Sequence, residues 1–177
     1  MKEEILTDAL YQALGIAVPE FAVYDTLPEP LAKQLGCDPN GIFRLSRFIE
    51  CKQATGEEIA EHLSRNFVAD ALFANWDIPV SFKNVIMGKD GILYRIDNGG
   101  ALRFRALGEL KINTPDWNPS KLVELESLRK NSPEGRFAYG KLTEEDINKQ
   151  MKTIIEKSYA LFPTLWKLHQ ILKFEQV

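Results

Sequence analysis

The chain has 177 residues, 45% of them hydrophobic and 10% aromatic, which suffices for one sizeable core. Its 22 basic and 25 acidic residues leave a net charge of −3, so no large positive field is present to hold a polyanion, and we expect no nucleic-acid binding. Cys37 and Cys51 belong to no CxxC or Cys/His cluster, which predicts neither a disulfide framework nor a zinc site and fits a reducing compartment.

The N-terminal residues lead directly into an amphipathic pattern without the features of a signal peptide, and no apolar run approaches the roughly 18 residues of a membrane span. We therefore expect a cytoplasmic protein with neither a cleavable signal nor a membrane span. Apolar residues recur at helical spacing over residues 2–14, and Gly15 provides a stop, which predicts a first helix. Residues 20–24 and 41–49 have strand composition, and the segment 27–40 between them predicts a loop or a short helical turn.

Thr55 and Glu58 form the pattern of a capping box, and the apolar positions after it continue at helical spacing as far as Trp76. This predicts one long helix over residues 56–76. Residues 84–87 and 92–96 predict two strands of a hairpin, in which Asp90 and Gly91 supply the turn residues with positive φ.

The C-terminal half carries mainly helical patterns. We predict a helix over residues 120–129, a loop over 130–140, and a helix that begins after Thr143. Pro163 is expected to open or to kink a last helix. The order of elements predicts one α+β domain over residues 1–177.

Three polar residues lie at the ends of these elements, and folding of the hairpin is expected to bring them together. Asp77 comes after the long helix, Asn84 begins the first hairpin strand and Asp97 ends the second. Two carboxylates and a carboxamide at one end of a small sheet form a hard-oxygen site that suits Mg²⁺ on phosphate oxygens. Taken singly, Asp77 also fits a surface carboxylate at a helix end, and the Asp-Asn-Gly sequence from Asp97 also fits a tight turn.

The segments that hold these residues resemble the catalytic loop, β-hairpin and metal-binding loop of protein-kinase-like phosphotransferases. The resemblance is closest to the bacterial atypical branches, such as HipA-like toxin kinases and effector kinases, and to actin-fragmin-kinase-like and phosphoinositide-kinase-like folds. It covers roughly residues 3–100 by order of elements. The segments are Asn75-Trp76-Asp77, Lys83-Asn84-Val85-Ile86 and Arg95-Ile96-Asp97-Asn98-Gly99-Gly100.

The resemblance implies a role for each candidate residue. Asp77 matches the catalytic-loop Asp, Asn84 the metal-binding Asn, and Asp97 the Asp of the metal-binding loop. Glu4 lies at or near the position of the Glu in the family's αC helix, which contacts the nucleotide-binding Lys. Residues 1–50 would then be an N-lobe remnant with a hinge, and residues 51–177 a helical C-lobe. The implied cofactors are ATP and Mg²⁺.

The sequence departs from the family pattern in two places. Asn84 follows Asp77 by seven residues, where typical kinases have five. The family's Gly-rich hairpin and its β3 Lys precede the αC helix, whereas this sequence starts at that helix. Three explanations stay open: a longer kinase from which this chain is trimmed, a partner chain that supplies the hairpin, or a degenerate pseudokinase.

The resemblance therefore implies an ATP- and Mg²⁺-dependent phosphotransferase, or the catalytic half of one, that acts on a hydroxyl group, with a protein as the expected acceptor. The alternative is a pseudokinase or a module that binds nucleotide or a protein partner. A member of the toxin or effector branches would act in the cytoplasm or in a host cytosol. Arg95, Arg103 and Arg105 flank the expected metal loop, where they fit either phosphate contacts or strand-face charges.

Overall fold

The computed structural model describes residues 2–80, 82–105, 109–111 and 122–172. Within these ranges the chain is α+β, as the sequence predicts, and short 3-10 turns cover Phe82–Asn84 and Asn98–Gly100. In chain order the elements are α1 (Lys2–Leu14), β1 (Phe21–Thr26), α2 (Glu29–Leu35), β2 (Asn40–Ser46), β3 (Cys51–Lys52), α3 (Gly56–Ser64), α4 (Phe67–Leu72), α5 (Asp77–Val80), β4 (Val85–Gly88), β5 (Leu93–Arg95), α6 (Glu124–Lys130), α7 (Pro133–Tyr139) and α8 (Glu144–Leu172).

The N-terminal part confirms the predicted helix, loop and strands. Helix α1 ends before Gly15, which has a φ of 78° and is a favourable left-handed stop. Strands β1 and β2 pair antiparallel, with Phe21 opposite Ser46. The connection between them contains α2, a helix of two turns that ends at Gly36 with a φ of 67°. Helix α1 packs on this sheet, which places the start of the chain over β1 and β2.

The prediction of one helix over residues 56–76 is wrong. The capping box at Thr55 is present, but the helix breaks at Asn66, whose φ and ψ are −126° and 18°. The Asn66 amide donates to the His62 carbonyl at 3.3 Å, a local bond that competes with helix continuation. Gln150 of α8 then accepts from the Val68 N–H at 3.1 Å and donates to the Ser64 carbonyl at 2.8 Å, so backbone groups at the break keep partners.

The hairpin is confirmed, and β3 adds to it to give a three-stranded sheet of order β3-β4-β5. Gly91 has the expected positive φ, 82°, but Asp90 does not. Asp90 instead shapes the turn with its side chain, which accepts from the Ile92 N–H at 3.0 Å and from the Tyr94 hydroxyl at 2.7 Å.

The C-terminal helices differ from the prediction in two ways. Helix α7 lies in the segment expected to be a loop, because Ser132 accepts from the Gly135 N–H at 2.8 Å and Pro133 provides a pre-set φ at the first helical position. Pro163 lies inside α8 and opens no separate helix. Thr143 caps α8 as predicted, with its hydroxyl accepting from the Asp146 N–H at 3.1 Å. Of the helix predicted over residues 120–129, the first two residues lie outside the described residues, and α6 covers most of the rest.

Helix α8 packs against both apolar clusters that form the core. One apolar cluster lies between α3, α4, α7 and the hairpin sheet, and a second lies between α1 and α4. Ile154 of α8 packs against both clusters. Among the described residues, no helix combines the length and the apolar character needed to cross a bilayer. The division of the chain into an N-lobe remnant and a C-lobe stays a prediction.

Candidate active site

Two loops carry the candidate acids. The first loop, residues 73–77, turns from α4 to α5, and Asp77 is the first residue of α5, whereas the sequence places it after a helix end. Within that loop Ala74 has a left-handed φ of 47°. The second loop, residues 96–101, follows β5, and Asp97 also has a left-handed φ, 52°. Non-glycine residues in this conformation are uncommon and concentrate at functional sites.

The hairpin register brings Asn84 and Asp97 to the same end of the sheet, as the sequence predicts. Val85 pairs with Arg95, and the Ile96 N–H donates to the Asn84 carbonyl at 2.9 Å. Asn84 therefore lies opposite the residue that precedes Asp97. It ends a 3-10 turn and does not itself begin the strand, because β4 starts at Val85. The seven-residue spacing from Asp77 to Asn84 is taken up by α5 and this 3-10 turn.

A bond between two side-chain amides joins the loops. Asn75, two residues before Asp77, donates to the Oδ1 atom of Asn98 at 2.9 Å. Asn98 in turn donates to the Oδ1 atom of Asp8 in α1 at 2.7 Å, and Asn75 also donates to the Tyr11 hydroxyl at 3.1 Å. All four side chains are buried. Hydrogen bonds of Asn75 and Asn98 thus connect both the first and the second loop to α1.

The Asp77 carboxyl is half-buried, and burial raises its pKa. The positive charge of Lys111 lowers that pKa, and the negative charge of Asp97 raises it further. The charges of Asp77 and Asp97 therefore interact, whereas a metal ion shared by these acids and Asn84 stays a prediction. Asp97 itself is exposed, so the pair opens to solvent on one side.

Lys111 is the residue at this site that sequence reasoning missed. Its Nζ atom donates to the Ala74 carbonyl at 2.5 Å and to the Gly100 carbonyl at 2.6 Å, so one ammonium bridges the two loops. Burial lowers its pKa to about 8, although Asp77 and Glu124 act in the opposite direction. In the sequence Lys111 follows an arginine-rich stretch, and no motif or spacing there indicates that it contacts the candidate site.

Arg95 is not available to a phosphate. Its guanidinium donates through Nε and through Nη2 to the two oxygens of Asp70, at 3.0 and 2.9 Å, and both side chains are fully buried. The same guanidinium contacts the His62 imidazole at 3.1 Å, and burial followed by the charge of Arg95 lowers the pKa of His62 to about 4. Arg95 thus serves the interior of the fold, whereas Arg103 and Arg105 keep some exposure.

Glu4 lies on α1, on the side of the helix that faces Arg44 of β2. Its carboxylate is 3.7 Å from the Arg44 guanidinium of β2, which also binds Asp8 at 2.5 Å. Burial raises the pKa of Asp8 to about 6 despite that contact. A nucleotide-related role for Glu4 stays a prediction.

The donor set fits a hard cation in its chemistry. Asp77 and Asp97 are carboxylates whose mutual repulsion a cation would relieve, and the backbone of Asn84 pairs with the residue before Asp97. Within the described part of the chain, no group of three or more His, Cys, Asp and Glu side chains is placed to hold a metal ion. Any cation here would therefore depend on two acids and an amide, with water or phosphate oxygens completing its shell.

Comparison of the chain with models of known protein families, with curated proteins and with solved structures found no match. Any functional assignment therefore rests on the residues and the geometry described above.

Proposed function

We propose that this chain is a kinase-type phosphotransferase, or the catalytic half of one, that uses ATP and Mg²⁺ to phosphorylate a hydroxyl group, with a protein as the acceptor. The observation that carries the proposal is the arrangement of Asp77 and Asp97, whose charges interact, on two loops that Lys111 and a pair of side-chain amides join. The resemblance of these segments to the family's loops supports the same assignment.

Each residue has a distinct part in this proposal. Asp77 orients the acceptor hydroxyl and receives its proton, a task helped by the raised pKa of its carboxyl, because a more basic carboxylate accepts a proton more readily. Asn84 and Asp97 hold the metal. A bound Mg²⁺ supplies charge neutralisation on the phosphates. Lys111 acts as a positioning residue, because its ammonium binds a carbonyl of each loop and so holds the two loops side by side.

The Gly-rich hairpin and the lysine of the family pattern would come from a longer form of this chain or from a partner chain. Among the described strands, β2 pairs only with β1, so its other edge offers unpaired backbone groups on which a further strand can add. A strand added there would carry that lysine.

The second candidate function is a non-catalytic module, either a pseudokinase that binds nucleotide or a protein-interaction domain. The ion pair of Glu4 with Arg44 favours it, since the glutamate already has a cationic partner inside this chain. A module of this kind would bind nucleotide without needing Mg²⁺, or would bind no nucleotide.

Calorimetric titration of ATP with and without Mg²⁺ tests the proposal. We expect the wild-type chain to bind Mg·ATP more tightly than metal-free ATP, and the Asp97→Asn variant to lose at least about tenfold in affinity for Mg·ATP, because a charged metal ligand is removed. Asparagine suits this position since it tolerates the left-handed φ of 52°.

The matched control is Asp25→Asn, which removes an exposed carboxylate on β1 and should bind as the wild type does. Transfer of the γ-phosphoryl group to a peptide hydroxyl, followed with labelled ATP, completes the test. A folded Asp97→Asn variant with wild-type affinity for Mg·ATP would remove the phosphotransferase proposal, and binding that is insensitive to Mg²⁺ without transfer would favour the non-catalytic module.

A further inference from the structure

Helix α8 presents a row of large apolar side chains to solvent. The row consists of Ile155, Tyr159, Phe162 and Trp166, which are 68%, 88%, 73% and 62% exposed. Their spacing of four, three and four residues places them on one side of the helix, within about 60° of rotation around its axis. Exposed apolar side chains usually occur singly, so a continuous row of four indicates an interaction surface. We call these four residues the outer row.

A different side of α8 packs in the core. Ile147, Met151 and Ile154 contact the cluster between α3, α4, α7 and the hairpin sheet, and Ile154 and Leu161 contact the cluster between α1 and α4. The outer row lies about 90° around the helix from these residues. Packing within one chain therefore explains the inner residues of α8 and leaves the outer row to be explained.

The outer row is large enough for an interface between proteins. An aromatic side chain covers about 200 Å², so the exposed fractions of the three aromatic residues amount to about 450 Å². With Ile155 and the surrounding rim, two such surfaces would bury on the order of 1,200 Å², the lower end of the range for specific interfaces. Aromatic side chains are also enriched at the centres of such interfaces.

The spacing of the outer row suits a second copy of the same helix. Four, three and four residues read the same in both directions along the chain, so an antiparallel α8 presents the same row to its partner. A two-fold axis between Tyr159 and Phe162 would pack Tyr159 against the partner's Phe162. The same axis would pack Ile155 against the partner's Trp166, so that the smallest side chain of the row meets the largest.

Charges along α8 favour an antiparallel pair and a protein partner. The first turn holds Glu144, Glu145 and Asp146, which a parallel pair would bring together and an antiparallel pair keeps apart. Lys152 and Glu156, both exposed beside the outer row, have opposite signs. Helices that lie on anionic lipid instead carry mainly basic residues along their polar face.

We propose that the chain forms a homodimer through the outer row, with two α8 helices packed antiparallel around a two-fold axis between Tyr159 and Phe162. An interface of this size corresponds to a reversible dimer with a Kd on the order of 10 µM. The interface lies on α8 and includes none of the residues assigned to the candidate active site, so the dimer does not depend on the proposed function.

Sedimentation equilibrium of the full chain, from about 1 to about 200 µM, measures the dimer. We expect the mass to rise from that of a monomer to that of a dimer over this range. Phe162→Glu should raise the Kd at least about hundredfold, because it places a charge in an apolar interface. The matched control is Phe48→Glu, which changes a phenylalanine that is 85% exposed on another part of the surface and should dimerise as the wild type does. Circular dichroism confirms that both variants stay folded.

Mixing two variants tests the antiparallel arrangement. Tyr159→Lys and Phe162→Glu should each be monomeric alone, whereas their mixture should form a heterodimer at least about tenfold more tightly than either variant dimerises with itself. The reason is that the two opposite charges face each other across the two-fold axis. A parallel pair would place position 159 beside position 159 and would give no such recovery.

A chain that stays monomeric up to about 200 µM would overturn the proposal, as would wild-type dimerisation of Phe162→Glu or a mixture of the two variants that stays monomeric. An equal loss of affinity in Phe48→Glu would assign the interface to another surface and overturn it as well. Vesicles of phosphatidylcholine with phosphatidylserine provide the last comparison. If the chain is monomeric but sediments with these vesicles through Phe162, the outer row lies on lipid and the homodimer is wrong.

Discussion

At the scale of single residues, Ala74 has a backbone conformation that its side chain disfavours. Its φ is 47° and its side chain is 1% exposed, so the methyl group crowds a left-handed backbone inside the core. The Lys111 ammonium binds the Ala74 carbonyl, and the next N–H, that of Asn75, donates to the Asp70 carbonyl at 2.9 Å. These bonds hold the strained turn that delivers Asp77.

Glycine at position 74 should relieve this strain. Ala71 provides a matched control, because it is also 1% exposed but lies in the regular helix α4. We expect the free energy of unfolding of Ala74→Gly to exceed that of Ala71→Gly by about 1–2 kcal/mol, the cost of a left-handed alanine. Urea denaturation of both variants measures the difference. Equal stability of the two variants would show that Ala74 carries no strain.

At the scale of elements, the break between α3 and α4 depends on a side chain from the other end of the sequence. Gln150 binds the Ser64 carbonyl and the Val68 N–H, backbone groups on either side of the break. Asn66 supplies the local reason for the break, and Gln150 supplies the tertiary partner that makes it stable. The break in turn sets the direction of α4, which leads into the first loop.

Removal of the Gln150 amide should destabilise the junction. We expect Gln150→Ala to lower the free energy of unfolding by about 1–3 kcal/mol, because a donor and an acceptor on the backbone lose their partner. Hydrogen exchange at the Val68 amide should quicken in the same variant. Asn148→Ala, an exposed change on the same helix, should stay within about 0.5 kcal/mol of the wild type. Matching losses in the two variants would contradict the role assigned to Gln150.

At the scale of the whole molecule, Asp70 of α4 binds side chains from three other elements. Its carboxylate accepts from the hydroxyls of Tyr11 in α1 and Tyr139 in α7, each at 2.8 Å, and from the Arg95 guanidinium in β5. Tyr11 continues the network to Asn75 and so to the second loop. A buried hydrogen-bond network of this kind makes the arrangement of the elements specific.

Asp70→Asn should be severely destabilising, because it leaves the buried charge of Arg95 without a counter-ion. We expect a loss of about 3–5 kcal/mol in the free energy of unfolding, measured by urea denaturation. Glu61→Gln is the control, since its ion pair with Arg65 lies on the surface with both side chains about two-thirds exposed, and it should cost less than about 1 kcal/mol. Similar losses for the two variants would show that the network contributes little.

Much of the architecture was predictable, because it follows from local patterns. Helix α1, the capping box at Thr55, the hairpin with Gly91 and the cap at Thr143 each depend on residues within a few positions of one another. The order of Asp77, Asn84 and Asp97 around that hairpin was also predictable, and the hairpin register explains why the last two lie at the same end of the sheet. Helix α7 was missed because its Pro and Gly residues resemble a loop in the sequence, although Ser132 and Pro133 form a good helix start.

What the sequence determined by itself was the set of local elements and the chain positions of the candidate acids, since hydrogen bonds and apolar periodicity over a few residues specify both. The tertiary structure alone decided that Lys111 bridges the two loops, that Arg95 faces inward to Asp70, and that Asn98 reaches Asp8 across 90 positions of sequence. Such contacts leave no local pattern, because each partner satisfies its charge or hydrogen bond only after distant elements have packed. The same physics governs the candidate site, where the pKa of Asp77 is set by burial and by charges on other segments of the chain.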